Sequence, residues 1–307
     1  MNDRTETDEK FPMKFEDIKV STKTIIAVTN LKLHINDLFE KLPITDYTIV
    51  PKKRGRKKKT EVVQQTPIKP GSILTLKLGG KFRGVDLKKK KVDVKSTSFR
   101  NSLTVVMVLN DKYVNFKISN NGKFQIVGCK SWKHALEVIT NIWDMIRDNT
   151  ELYTLQKDKN LTVIFIPAMR NIDFNTGFKI DREKLDSYIN ENTPYTSILE
   201  TSVGYTGVNI KIPLSKPITE LDKLRMIQYK DGSWQPVQYI SYHDYITTLP
   251  LKESKKLIDK KRYTTFLIFH SGKCIMSSIS KEFMLDSYDE FVNMLTTCRT
   301  HIEEKIT

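Results

Sequence analysis

The chain carries one segment twice. Asn121-Gly122-Lys123-Phe124-Gln125-Ile126 is matched by Ser271-Gly272-Lys273-Cys274-Ile275-Met276, and each is followed by a helical stretch. The offset is 150 residues at the glycines (122 to 272). It is 149 at the serines (131 to 280), the leucines (136 to 285) and the methionines (145 to 294). A near-constant offset that keeps residue type fixes the architecture before any local reading, because it demands two copies of one supersecondary unit. Weaker matches extend it. Asn30-Leu31-Lys32-Leu33 pairs with Asn171-Ile172-Asp173-Phe174, and Leu103–Met107 pairs with Val208–Ile212, with the aromatics Phe99 and Tyr205 a few residues before.

Within each copy the periodicity reads strand, helix, four strands, helix. Asn110-Asp111 and Asn121-Gly122 are hairpin signals. Residues 131–147 carry apolar positions at helical spacing, as do 282–303. One amphipathic helix over a five-stranded antiparallel sheet leaves the other sheet face open. The expected fold is therefore α+β, two pseudo-symmetric repeats forming a ten-stranded antiparallel sheet. Residues 1–14 read as a flexible tail, 15–150 as the first repeat and 158–307 as the second. A charged, glycine-containing stretch at about 52–97 reads as an insertion in the first repeat, with a hairpin near Gly79-Gly80. A second insertion falls at about 215–260, with a turn at Asp231-Gly232.

With 51 Lys and Arg against 36 Asp and Glu, the net charge is +15, and it is clustered. That points to a polyanionic partner, and duplex DNA is the pseudo-symmetric polyanion that suits a pseudo-symmetric surface. The sequence has no long apolar run for a membrane span and no signal-peptide pattern, so an intracellular location is expected. The three cysteines lack paired spacing, and the five histidines lack metal-ligand spacing; no disulfide framework, metal site or cofactor is expected. There is no nucleophile elbow, His-Glu-x-x-His or phosphate loop, so catalysis is not expected.

The motif series resembles the TATA-box-binding protein family. Lys123-Phe124-Gln125-Ile126-Val127-Gly128-Cys129-Lys130 aligns with the family's Lys-Met-Val-Cys-Thr-Gly-Ala-Lys. Phe266-Leu267-Ile268-Phe269-His270-Ser271-Gly272-Lys273 is similar to its Leu-Leu-Ile-Phe-Val-Ser-Gly-Lys. Tyr205-Thr206-Gly207-Val208-Asn209-Ile210-Lys211 resembles its Phe-Pro-Gly-Leu-Ile-Tyr-Arg, and Val28-Thr29-Asn30-Leu31 its Thr-Val-Asn-Leu. The insertions and the Lys/Ile/Asn-rich composition suggest a divergent member such as giant DNA viruses carry.

The resemblance implies a saddle with helices on its convex face, and a concave sheet that lies on a widened minor groove and bends the DNA. It places intercalating wedges at Phe99 and Ile118 in the first repeat and at Tyr205 and Phe269 in the second. It assigns minor-groove polar contacts to Asn30 and Asn171, and a groove floor to Gln125, Val127, Ile275 and Ser277. Phosphate contacts fall to Lys123, Lys211 and Lys273. AT-rich promoter DNA, a transcription factor IIB-like protein and the RNA polymerase machinery are the implied partners. A nucleus, viral factory or virion is the implied setting.

The run Lys52, Lys53, Arg54, Gly55, Arg56, Lys57, Lys58, Lys59 is a further basic tract. Its Arg-Gly-Arg core resembles an AT-hook, although a localisation signal or a solvated run fits it as well. Two alternatives to a promoter factor stay open. One is a packaging protein without sequence preference; the other is a DNA-processing enzyme domain of similar fold.

Overall fold

The computed structural model describes residues 11–46, 68–85, 101–110, 112–156, 159–200, 206–221 and 223–304. The first half runs β1 (Val20–Thr29), β2 (Leu31–Leu33), α1 (Ile35–Lys41), β3 (Ile73–Leu78), β4 (Lys81–Gly84), β5 (Ser102–Val108), β6 (Tyr113–Ser119), β7 (Lys123–Cys129), α2 (Trp132–Ile146) and β8 (Tyr153–Leu155). The second runs β9 (Leu161–Asn175), α3 (Arg182–Asn192), β10 (Thr196–Glu200), β11 (Gly207–Pro213), β12 (Leu224–Lys230), β13 (Ser233–Trp234), β14 (Gln238–Ile240), α4 (Tyr242–Thr247), α5 (Leu251–Ile258), β15 (Tyr263–Phe269), β16 (Lys273–Ser278) and α6 (Lys281–Ile302).

The strand order is the same in the two repeats. The first repeat has neighbours β1-β7-β6-β5-β3, and the second has β9-β16-β15-β11-β10. The ladders are antiparallel and keep the sequence offset. Lys117 faces Gln125 and Asn115 faces Val127; 150 residues on, Leu267 faces Ile275 and Thr265 faces Ser277.

The glycines that carry the strongest sequence match have a structural reason. Gly122 and Gly272 take φ +70° and +80° in the β6–β7 and β15–β16 turns. A Cβ at Gly122 would strike the Leu31 carbonyl, and one at Gly272 the Phe178 carbonyl. The carbonyls of both glycines accept from a threonine backbone, Thr29 N at 3.0 Å and Thr176 N at 2.9 Å. Only glycine gives both the left-handed backbone and the close approach.

Two compact units divide the chain. One holds residues 25–166 with 225–238. The other holds the described residues of 11–24, 167–224 and 239–304. In the first unit Leu103, Val105, Phe116, Ile118, Phe124 and Ile126 pack against Ala135, Val138, Ile139 and Ile142 of α2. In the second, Val208, Ile210, Phe266, Ile268, Cys274 and Met276 pack against Met284, Phe291, Leu295 and Cys298 of α6. Phe266 and Phe291 stack with centroids 4.0 Å apart. Each fully buried large side chain contributes about 1.5–3 kcal/mol, so the alternation of these strands suffices to fix which face is covered.

Several expectations need correction. Fourteen strands rather than ten take part in extended sheet pairing among the described residues. Ten are the repeat strands, and β4, β12, β13 and β14 are additional. β3 and β4 lie inside the 52–97 stretch and pair around the Gly79-Gly80 turn, where the hairpin is expected. Residues 11–14, expected to belong to a flexible tail, are packed, while residues 1–10 lie outside the described residues. Phe11 and Met13 pack on the core of the second unit, Phe15 is buried there, and Met13 O accepts from the Tyr288 hydroxyl at 2.8 Å.

The 215–260 segment also has a structured role. Its β12 pairs with Leu161–Phe165 of β9. Tyr229 and Trp234 stack edge-on at 5.2 Å, and Tyr229 meets Trp143 of α2 at 5.7 Å. Arg147 Nη1 donates to the Tyr229 hydroxyl at 2.6 Å, and Arg225 lies over the Trp132 ring. These aromatic and cationic contacts tie 225–238 into the unit built on the first repeat.

Candidate nucleic-acid interface

Strand alternation sends one set of side chains to the helices and leaves the other on the open face. On β7 the open set is Lys123, Gln125 and Val127; the last two are exposed, while Phe124 and Ile126 between them are buried. On β6 it is Tyr113, Asn115, Lys117 and Ser119. In the second repeat β16 presents Lys273, Ile275 and Ser277, β15 presents Tyr263, Thr265, Leu267 and Phe269, and β11 presents Asn209, Lys211 and Pro213.

The faces assemble as cross-strand rows. Lys211 lies opposite Thr265, which lies opposite Ser277, which lies opposite Asn171. Asn209, Leu267, Ile275 and Asp173 form the next row. In the first repeat Lys77, Thr104, Lys117 and Gln125 make one row, and Thr75, Val106, Asn115 and Val127 the other. The second face thus has a neutral, small to medium-sized centre flanked by lysines and the Asp173 carboxylate, whereas the first carries Lys117 among its neutral residues, between Thr104 and Gln125. The structure brings together Gln125, Val127 and Lys123 on one face and Ile275, Ser277, Lys211 and Lys273 on the other. Lys117, Asn115, Leu267, Thr265 and Asn209 belong with them. Period-two alternation alone would have located these five.

Phe269 ends β15, half-buried, opposite Gly207. Its ladder partner is a glycine, which places no side chain of its own beside the phenylalanine ring. Ile118 is different. It is fully buried, opposite Leu103, among the residues that pack on α2. Its register equivalent is Ile268, also fully buried and opposite Val208. The position in the first repeat that matches Phe269 is Ser119. Ile118 therefore faces the helices and cannot serve as an exposed wedge. Phe99, Tyr205 and the Lys52–Lys59 tract lie outside the described residues.

Asn30 is not on a strand. It follows β1, where its amide donates to Asn160 O at 2.8 Å and its carbonyl accepts from Thr162 N at 2.9 Å. Both ends of the side chain clamp the backbone around the start of β9, which explains an asparagine at this place without any ligand. Asn171 is on the open face of β9, half-buried, with its Oδ1 shielded and lacking a hydrogen-bond partner. A shielded acceptor without a partner costs about 1–3 kcal/mol, which makes Asn171 the more informative asparagine of the two.

No group of three or more His, Cys, Asp or Glu among the described residues has a metal-binding arrangement. Burial pushes the Cys274 thiol well up, to where it is no nucleophile, and raises Cys298 to about 11. Tyr245 and Tyr288 are each pushed up to about 12, chiefly by burial, which keeps both phenols neutral. No helix among the described residues is long and apolar enough to cross a membrane.

Comparison with known proteins gives the following likenesses. The chain is 26% identical over 246 residues to uncharacterized protein 335L of Invertebrate iridescent virus 6, covering 77% of this chain and 70% of that protein. It is 25% identical over 171 residues to a TATA-box-binding protein-like protein of Acanthamoeba polyphaga mimivirus, and spans 47% of that protein's length. Among solved structures it aligns with the Methanococcus jannaschii TBP over 91% of this chain and 98% of that one, at 12% identity and a TM-score of 0.38. No family model matches the chain. Both relatives are viral proteins, and the second likeness agrees in kind with the motif series.

Proposed function

We propose that this chain binds duplex DNA in the manner of a TATA-box-binding protein, with the open face of each repeat contributing half of the contact. The single observation that carries this is the repeated open face. The same cross-strand rows occur 150 residues apart, and Lys123 and Lys273 occupy equivalent positions beside them. A face built mostly of neutral, modestly sized side chains suits the minor-groove floor, where A·T pairs present only acceptors and G·C adds an amino donor. The lysines supply the sequence-independent phosphate term. The reading extends to a ten-strand saddle with the helices on its far side, to bending of AT-rich promoter DNA with Phe269 as a wedge, and to docking of a transcription factor IIB-like protein and a polymerase. On this reading the protein is a binding factor without catalytic activity, working inside the infected or host cell.

A second reading is favoured by one observation. The Lys117–Gln125 pair at the centre of the first face offers both donors and an acceptor, and so discriminates poorly among base pairs. That would suit an architectural protein without sequence preference. Gel-shift titration of AT-rich against random duplexes of equal length decides between them. At least a tenfold preference, about 1.4 kcal/mol, supports the promoter reading. Equal affinity supports packaging, and no binding to either refutes both.

A further inference from the structure

The unit built on the second repeat contains a cavity of about 450 Å³ where β11 ends and β15 begins. Pro213 and Tyr263, the last cross-strand pair of those strands, line it. Lys216 lines it from one side and Lys260, Lys261 and Arg262 from the other; no carboxylate is among its lining residues. Arg262 is held in place, because its Nη1 donates to Leu257 O at 2.8 Å and Lys260 O at 3.1 Å, closing the C-terminal end of α5. The three lysines are exposed, and none forms an ion pair with another described residue. Ser215 is already engaged, donating to the Asp286 carboxylate at 2.9 Å.

Four cationic side chains line this one concavity, which gives it a positive potential favourable to an anion. The arrangement matches phosphate, which accepts charge-assisted hydrogen bonds from several directions at once. Its place matters as much as its charge. Pro213 is two residues beyond Lys211 on β11, and Tyr263 two residues before Thr265 on β15, so both continue the open face. The cavity begins where that face ends, and the 215–260 segment builds it.

We propose that this cavity receives backbone phosphates of the same duplex that lies on the open face, lengthening the footprint beyond the groove contact. This rests on the DNA-binding reading above. The shared chemistry is a phosphate group, and a free phosphate compound is the other source that could fill it.

The test uses the full chain and the triple variant Lys216→Ala, Lys260→Ala, Lys261→Ala, whose changed side chains are exposed. Lys252→Ala, on α5 but outside the cavity lining, is the control. Affinity is measured against salt on a long duplex and on one trimmed to the AT-rich core. Each phosphate that the variant no longer neutralises should flatten the log–log slope by about 0.9. The expected result is a slope flattened by about two to three times that amount on the long duplex, no change on the trimmed one, and no change with Lys252→Ala. An unchanged slope on the long duplex, or equal flattening on both, overturns the assignment. In a parallel calorimetric titration the probe is inorganic pyrophosphate. Binding to the wild type that the variant abolishes, with an unchanged DNA slope, assigns the cavity to a free phosphate compound instead. If the wild type binds no duplex at all, the DNA-binding reading fails and this assignment falls with it; the pyrophosphate titration then decides only whether the cavity is a phosphate site.

Discussion

Ser119 and Phe269 hold the same place in the two repeats. Each closes its strand, and each carbonyl accepts from the turn glycine, Gly122 N at 3.1 Å and Gly272 N at 2.9 Å. Ile118 and Ile268, one residue earlier, are both fully buried. At this position the second repeat carries an aromatic ring and the first a serine, so on the proposed DNA-binding reading a wedge here falls to Phe269. Phe269→Ala should reduce the bend of an end-labelled AT-rich duplex, measured by energy transfer, while Ser119→Phe should increase it. Ile118→Ala should instead lower stability by about 2–5 kcal/mol in denaturant unfolding, with the bend per bound molecule retained. A smaller bend from Ile118→Ala than from Phe269→Ala would contradict this assignment.

Asn30 clamps backbone at both ends of its amide. Asn30→Asp replaces the donor to Asn160 O by a carboxylate oxygen, and should cost about 1–3 kcal/mol. Preference among DNA sequences, measured on the folded fraction, should not move. Altered A·T preference at unchanged stability would return Asn30 to a base-reading role.

Gly122→Ala and Gly272→Ala each force a Cβ against a backbone carbonyl at positive φ. Each should lower stability by more than the roughly 1–2 kcal/mol of the left-handed conformation alone, since Leu31 O and Phe178 O must also shift. Thermal unfolding of the two single variants checks this, and a loss below about 0.5 kcal/mol in either would show that its turn relaxes freely.

Asp181 caps α3, accepting from Lys184 N at 3.1 Å. That backbone N–H is the main cause that holds its carboxyl below the usual range, with the Lys184 side chain adding to it against a desolvation penalty. A folded-state value below the unfolded one stabilises the protein above the unfolded carboxyl range, near pH 4, and the gain is lost as pH falls through the folded value. Asp181→Ala should cost about 1 kcal/mol at neutral pH. The gap between wild type and variant should narrow as pH falls below about 4. A gap independent of pH would show that the charge plays no part.

The duplication is legible in the sequence because its marks are backbone requirements. Gly122 and Gly272 are needed by their turns, and Lys123–Val127 alternates visibly. α2 and α6 match the expected spans within one residue at each end, since apolar residues at helical spacing had a sheet to cover. β3 is not legible in the same way. Ile73-Leu74-Thr75-Leu76-Lys77-Leu78 is almost continuously buried, so it lacks the alternation of a half-exposed strand, and it follows a tract of lysines. The role of 225–238 is hidden for another reason. Tyr229 and Trp234 meet Trp143 and Arg147 far away in sequence, and no local pattern encodes such partners. At the site, Ile118 lies one residue from the open-face position Ser119, and in a strand one residue exchanges the two faces.

The most direct measurement is end-to-end energy transfer on a doubly labelled AT-rich duplex, titrated with the full chain at fixed salt. The expected result is saturable binding accompanied by a shortened end-to-end distance, with the shortening reduced by Phe269→Ala. Saturable binding at unchanged end-to-end distance would contradict the wedge mechanism, and absence of binding would contradict the DNA-binding function itself.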